Sequence, residues 1–326
     1  MHLTTGSGQL CDEIAAVQLK GSLAQGIARL TAENVPSPRL NAELLLMFTL
    51  GCDRAYLYAH PGRELTNDEG ARYEAALAER ARGVPAQYIT GHQEFWGMDL
   101  IVSPAVLIPR PETEHVVEAV LQILDPIPAP DLRTPTSELR SELSKKPGAP
   151  ISAVRIVDVG TGSGCIALAL AKELPGAEIR ATDVSSAGLE IARANTARHQ
   201  LEQRIRFHQT DLLEGIDGQF DFIVSNPPYV GESEEDAVQL EVRKFEPRNA
   251  VFAGSSGMEV IARLIPQAQS ALRPGGWLVM EISAAIADEV RNLLAGWEQV
   301  QIMPDLQSIP RVAIAQKPGG AGRNEI

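Results

Sequence analysis

Cysteine is scarce. Three residues in 326, Cys11, Cys52 and Cys165, are too few and too scattered for a disulfide framework or a zinc site, so free thiols are expected. No apolar run approaches the roughly 20 residues that a membrane helix needs, which excludes a helical membrane span. The N-terminal stretch MHLTTGSGQLCDEIAA lacks the basic flank and apolar segment of a secretory signal, so a cytoplasmic location is the expectation. Basic charge is also short: the formal net charge is −13, whereas a duplex binder needs a cationic face to displace phosphate counterions. Aromatic residues make up only 5%, which disfavours a base-stacking channel. What remains, 44% hydrophobic and 22% charged, is ordinary for a soluble globular chain of one large or two modest domains.

Residues 1–85 carry apolar residues at helical spacing in LAQGIARL, PRLNAELLLMFTL and NDEGARYEAALAERARG, and read as a small helical bundle. Ser37-Pro38 suits the start of the second of these helices and Thr66-Asn67 the cap of the third. Residues 86–110, including QYITGHQEFWGMDLIVSPAVL, have aromatic and β-branched runs broken by Thr90-Gly91 and Trp96-Gly97, and read as a hairpin-like connector. Pro111 suits a helix start, with Glu112 and Glu114 in its first turn. Residues 125–150 are rich in Pro, Ser and charge and read as a flexible insertion, with a helical turn or two in TSELRSEL.

From residue 154 strands and helices alternate. VRIVDVG, AEIRATDV, IRFHQTDLL, FDFIVSNPPYV and WLVMEIS read as strands, with GMEVIARLIPQAQSALRPGG as a helix before the last. VQIMPD and RVAIAQK suit a closing β-hairpin, and 319–326 a disordered tail. This order predicts an α/β fold with a doubly wound parallel sheet over 111–318.

Two strand ends carry the chemistry. In VDVGTGSG, the residues Gly160, Thr161, Gly162, Ser163 and Gly164 lie between a strand and a helix, where bare backbone and free N–H groups can approach a ligand. Asp183 ends the next strand, where a carboxylate can accept from ribose hydroxyls, and Asp211 ends the third, within reach of an adenine. The dinucleotide fingerprint would need glycine at 165, which is Cys165. Glycines at 160, 162 and 164 instead resemble the S-adenosylmethionine loop of Rossmann-like class I methyltransferases. The second strand end is Ser225-Asn226-Pro227-Pro228-Tyr229, where two prolines stop a buried strand. If the target is a planar nitrogen, its delocalised lone pair is a poor nucleophile. Two acceptors, the Asn226 side-chain oxygen and the Pro227 carbonyl, would hold its two N–H bonds and favour charge developing on nitrogen. Tyr229 would lie against the planar group and exclude water.

Asn226-Pro227-Pro228-Tyr229 is similar to the tetrapeptide of amino-methyltransferases acting on glutamine, adenine or guanine. Residues 87–118, with VDVGTGSGCIALALA, FDFIVSNPPYV, FEPRNAVFAGSSGME and DLQSIPRVAIAQ, resemble the release-factor glutamine methyltransferase family (HemK/PrmC). The resemblance runs from about 20 to 317. It implies methylation at N5 of the glutamine in the Gly-Gly-Gln loop of class-I peptide chain release factors, with S-adenosylmethionine as donor. It also implies an N-terminal helical domain that helps grip the release factor. Gly160 to Gly164 and Asp183 would hold the cofactor, with Asp211 and Leu212 near its adenine and Asn226 beside it. Asn226, Pro227, Pro228 and Tyr229 would hold the glutamine amide; Phe95, Arg110, Pro111 and Glu112 would border the site, with Phe95, Arg110 and Glu112 as substrate contacts. Arg110 and Glu112 could equally form a structural ion pair. No metal, membrane or direct nucleic-acid partner is expected, and the chain is expected to be a monomer. A glutamine methyltransferase of a ribosomal protein stays open as an alternative. An adenine-N6 or guanine-N2 methyltransferase, or a non-catalytic module keeping the pocket, fits less well with the charge and the intact motifs. The sequence departs from the family pattern in the length of 125–150 and at Ser283-Ala284 and Ala287, where a glycine and a glutamine are usual.

Overall fold

The computed structural model describes residues 18–125 and 154–319. Cys11, the insertion proposed at 125–150 beyond Asp125, and the tail from 320 lie outside them. The chain divides into two compact units, 1–90 and 91–326.

The first unit is helical: α1 (Leu19–Ala32), α2 (Pro38–Leu50), α3 (Arg54–Ala59), α4 (Asn67–Ala81) and α5 (Ala86–Thr90). Its core gathers Leu19, Leu30, Leu45, Leu46, Tyr73 and Leu77, all 2% exposed or less. Burial of each such leucine stabilises by about 2 kcal/mol relative to leaving it in water. Thr66 caps α4 through a reciprocal box: its hydroxyl accepts the Glu69 N–H, and the Glu69 carboxylate accepts the Thr66 N–H. α2 starts at Pro38, but Ser37 is left-handed and its side chain makes no cap bond. The strand expected around QYIT is instead the short helix α5. A four-residue apolar and β-branched run has no period of its own, and Pro85 opens a turn in which Tyr88 and Ile89 N–H groups donate to its carbonyl. The hairpin begins only after Gly91, which adopts a positive φ.

In the second unit that hairpin pairs β1 (His92–Phe95) with β2 (Met98–Ile101) through a turn with left-handed Trp96 and Gly97. A 3₁₀ turn at Pro111–Thr113 leads into α6 (Glu114–Leu124). The central sheet has seven strands: β3 (Arg155–Val159), β4 (Glu178–Asp183), β5 (Ile205–Gln209), β6 (Phe220–Ser225), β7 (Leu272–Glu281), β8 (Glu298–Pro304) and β9 (Pro310–Gln316). Their order is β5-β4-β3-β6-β7-β9-β8, parallel except for β9, which runs antiparallel to both neighbours. This is the doubly wound sheet with its closing hairpin. The helix before β7 ends at Ala271, earlier than its sequence suggested, because Leu272 already pairs with Phe220 and the following Arg-Pro-Gly-Gly passes through an irregularity in the same strand. No helix among the described residues is long and apolar enough to cross a membrane.

Both faces of the sheet are covered, so its central strands are buried on both sides and read as continuous apolar runs. The helix Cys165–Glu173 has every residue from Cys165 to Ala171 buried. Chain order reverses between β3 and β6, which are adjacent. A crevice opens at such a switch point, beyond the C-terminal strand ends.

Candidate active site at the switch point

Strand register brings the two motifs together. Val159 pairs with Ser225, so Gly160 and Asn226 are the next residues on adjacent strands. The Ser225 hydroxyl fixes this junction by donating to the Val159 carbonyl at 2.8 Å. On one flank Val159 pairs with Thr182, putting Asp183 beside Gly160; on the other Ser225 pairs with Met280, putting Glu281 beside Asn226. Asp183, Gly160, Asn226 and Glu281 therefore form one row across four strand ends.

A cavity of about 190 Å³ opens over this row. Its wall includes Gly160, Thr161, Gly162, Ser163, Asp183, Asp211, Leu212, Asn226 and Pro228 from the sequence-based set. Ala105, Val106 and Leu107 after the hairpin, Thr113, Val184, Ser185, and Pro247, Asn249 and Ala250 complete much of it.

The glycine loop is held from below. Gly160 and Gly162 have φ of +71° and +53°, and a Cβ at either would meet nothing within 4 Å. Glycine at these positions keeps the left-handed backbone unstrained and the wall bare. Gly164 turns into the helix at φ +85°, where a Cβ would reach 2.6 Å from Leu168 Cδ1 and 3.3 Å from the Ala192 Cβ; it is a packing glycine beneath the cavity. Asp158, fully buried, accepts from the Thr161 hydroxyl at 2.6 Å and the Ala167 N–H at 3.2 Å. Burial raises its carboxyl to about 7, against those two hydrogen bonds. Buried Asn195 joins hairpin to loop: Nδ2 donates to the Ile101 and Ser163 carbonyls, and Oδ1 accepts the Ile101 N–H.

Asp183 accepts the Gly162 N–H at 2.8 Å and the Ser185 N–H at 2.9 Å. Burial raises its carboxyl, and these backbone N–H groups oppose the shift. Each carboxylate oxygen keeps a second lone pair for a ligand hydroxyl. Asp211 lies on the wall beside left-handed Leu212; its Oδ2 accepts from Arg263 Nη2 at 2.5 Å, which leaves Oδ1 for a ligand. Cys165 at the helix start is no nucleophile, since burial first and the Asp158 charge second raise its thiol to about 12.

Bare left-handed glycines, a helix N-terminus and a carboxylate with spare lone pairs at the next strand end fit an adenosyl group with an amino-acid tail. The site fits a dinucleotide poorly, because the closely packed helix turn has Cys165 in place of the third glycine.

At the second motif Pro227 is buried and Tyr229 half-buried. Tyr229 packs on the core cluster under β7 and donates its hydroxyl to Glu281 Oε1 at 3.0 Å. Burial, then the Glu281 charge, push this phenol far above its ordinary value, so it is a donor. Glu281, 3% exposed, also accepts from the Thr113 hydroxyl, and Thr113 accepts from Asn226 Nδ2. Burial raises the Glu281 carboxyl, while the Thr113 and Tyr229 hydroxyls pull it back.

The remaining expected contacts are placed differently. Phe95 is 1% exposed within the core cluster beneath the hairpin, so it supports the hairpin and has no surface for a substrate. Arg110 pairs with Glu246, not with Glu112. Glu246, 6% exposed, also accepts the Ile108 N–H at 3.1 Å, so it pins the 108–110 segment to the segment after the tetrapeptide. Arg110, Pro111, Glu112, Pro227 and Tyr229 are not among the cavity-wall residues. Ser283 and Ala284 stand past the end of β7 and Ala287 is buried; none is on the wall either. Sequence reasoning missed Thr113, Glu246 and Glu281 as site residues. Thr113 and Glu246 lie inside segments quoted for the family resemblance, which was the available signal; Glu281 lies in WLVMEIS, read only as a strand.

Residues 22–91 match the PrmC N-terminal domain and residues 135–244 the methyltransferase small domain. A protein of Koribacter versatilis called release factor glutamine methyltransferase is 53% identical over 92% of this chain and 99% of its own. Proteins of the same name from Chlorobaculum tepidum and Xylella fastidiosa are 42% and 40% identical, over 87% and 90% of this chain and 92% and 98% of theirs. With the glycine loop, the Asn-Pro-Pro-Tyr strand end and an end-to-end match at this identity, the chain belongs to the release factor glutamine methyltransferase family.

Proposed function

We propose that the protein transfers a methyl group from S-adenosylmethionine to N5 of the glutamine in the Gly-Gly-Gln motif of class-I peptide chain release factors. The observation that carries this reading is the register that sets Asn226 beside Gly160 over one cavity. S-adenosylmethionine, when bound, supplies an electrophilic methyl carbon. The chain's own residues do the rest. Gly160 to Ser163 and Asp183 hold the donor, with Leu212 and Val184 toward its base. Asn226 Oδ1 and the Pro227 carbonyl accept the two amide N–H bonds of the substrate glutamine, which raises electron density on its nitrogen. The nitrogen forms the new N–C bond, the C–S bond breaks with its electron pair left on sulfur, and the positively charged amide then loses a proton to water. No covalent enzyme intermediate is needed, in keeping with the inert Cys165 thiol. Positioning and electrostatic stabilisation supply the rate. The helical unit would grip the protein substrate, and its exposed Leu40, Phe48 and Tyr58 supply apolar surface for that.

The test is incubation with labelled S-adenosylmethionine and a class-I release factor, beside the same factor with its motif glutamine replaced by alanine. Label in the first alone is the expected result. Label in neither, with cofactor binding retained, overturns the release-factor assignment and moves the search to ribosomal proteins and nucleic acids.

Asp183→Ala should weaken S-adenosylmethionine binding by calorimetry roughly 10- to 100-fold, since it removes a hydrogen-bonded carboxylate worth about 1.5–3 kcal/mol. Unchanged affinity would remove the ribose assignment.

A further inference from the structure

Asn226 can serve as an acceptor only if its oxygen, and not its nitrogen, faces the substrate amide. A primary amide carries both on one planar group, and its shape selects neither. The residues behind Asn226 make the selection. Thr113 Oγ1 donates to Glu281 Oε2 at 2.5 Å, and Tyr229 donates to Glu281 Oε1 at 3.0 Å. The two hydroxyls meet one carboxylate, which in its ionised form only accepts. Thr113 has a single proton; with Glu281 ionised it gives that proton to the carboxylate, so toward Asn226 it can only accept. The atom that faces it at 3.0 Å must carry hydrogen, which makes it Nδ2. Oδ1 is then left for the substrate.

We propose that Thr113 and Glu281 are positioning residues that lock the Asn226 amide in its acceptor orientation. This rests on the glutamine-amide reading of the site. Thr113 is 1% exposed and Glu281 3%, so water cannot substitute for either partner. They come from separate places in the fold: Thr113 from the 3₁₀ turn before α6, and Glu281 from the end of β7, level with Asn226 across the sheet. A threonine that merely tied that turn to the sheet would need only the bond to Glu281. The second bond, to Asn226, is what connects the tie to the chemistry.

The test compares Thr113→Val, which keeps shape and removes both bonds, with Thr113→Ser, which keeps the hydroxyl. The expected result for valine is a roughly 10- to 100-fold fall in kcat for release-factor methylation, from loss of a fixed orientation. S-adenosylmethionine affinity stays within about twofold, and serine restores most of the rate. Glu281→Gln, which cannot accept from both hydroxyls without also presenting an N–H, should lower kcat in the same way. Wild-type kcat in Thr113→Val, or serine as slow as valine, overturns the proposal. If Thr113→Val does not fold, exchange of the Asn226 Nδ2 protons is read by NMR in the wild-type protein, assigned with Asn226→Asp. Slow exchange supports the lock, and exchange as fast as that of a surface asparagine overturns it. If the wild-type protein fails to methylate any release factor, the functional reading fails, while the proton exchange still reports on the lock.

Discussion

Asn226→Ala should lower kcat about 100- to 1,000-fold and leave S-adenosylmethionine affinity within a few-fold of wild type. The magnitude is that of removing one preorganised polar group from a site where charge develops. The amide nitrogen is neutral before the transfer and positive after it, so an acceptor aimed at its N–H bond gains strength along the reaction. Alanine removes that acceptor and also leaves Thr113 Oγ1 without the Nδ2 donor it accepts from. The donor side of the site should be little disturbed, because Gly162 and Asp183 are tied to each other and to Ser185 rather than to Asn226. The measurement is single-turnover methylation with cofactor affinity followed separately by calorimetry. A wild-type rate would mean that Asn226 does not accept from the reacting amide. A matching loss of rate and cofactor affinity would mean that the residue holds the cofactor instead. Asn226→Asp is the sharper comparison: it keeps an oxygen toward the substrate but gives Thr113 no N–H, and should recover little.

What the sequence made legible and what it hid divide by distance along the chain. The glycine loop and Asn-Pro-Pro-Tyr are contiguous, and each announces itself through residues whose backbone constraints have few other uses at a strand end. Alternation of strand and helix then placed both at the same edge of the sheet, and the pairing of Val159 with Ser225 made them neighbours. The bonds that complete the site join residues far apart in sequence: Thr113 to Glu281, Asn226 to Thr113, Arg110 to Glu246. No local pattern specifies such pairs. Arg110 and Glu112 looked like partners because they are close in sequence, yet Arg110 meets Glu246. Phe95 shows a related limit. An aromatic residue in a motif beside a site reads as a contact, but whether it faces the ligand or the core depends on which side of a four-residue strand is covered. Here the covered side takes it. The short helix at Ala86–Thr90 fell to a third cause, the lack of any period in so brief a run.

Gly257→Ala is the second large effect expected, at a residue that touches neither donor nor substrate in the proposed mechanism. The backbone after the tetrapeptide is braced by a parallel run: the Val230 N–H donates to the Val251 carbonyl, the Ala253 N–H to the Val230 carbonyl, and the Glu232 N–H to the Gly254 carbonyl. Gly257 closes this brace. Its φ is +82°, and a Cβ there would lie 2.5 Å from the Tyr229 carbonyl oxygen and 2.9 Å from the Gly231 nitrogen. Both are backbone atoms and neither can rotate away. The left-handed conformation costs an L-residue about 1–2 kcal/mol, and the forced shift about 1–3 kcal/mol more. A melting temperature lower by on the order of 10 °C follows for a domain of this size. Because the shift falls on Tyr229 itself, the acceptors just before it move too, and kcat should fall about 100-fold. Gly254→Ala is the control. Its φ is similar, +83°, but its new Cβ would meet the Glu259 side chain rather than backbone, and moving it costs the bonds that carboxylate accepts from the Ser255 hydroxyl and Ser256 N–H, not the position of the tetrapeptide. It should therefore cost the backbone strain and little rate. If both variants melt alike and both turn over at the wild-type rate, the brace does not set the position of the tetrapeptide, and the rigidity of the acceptor pair would have to come from the prolines alone.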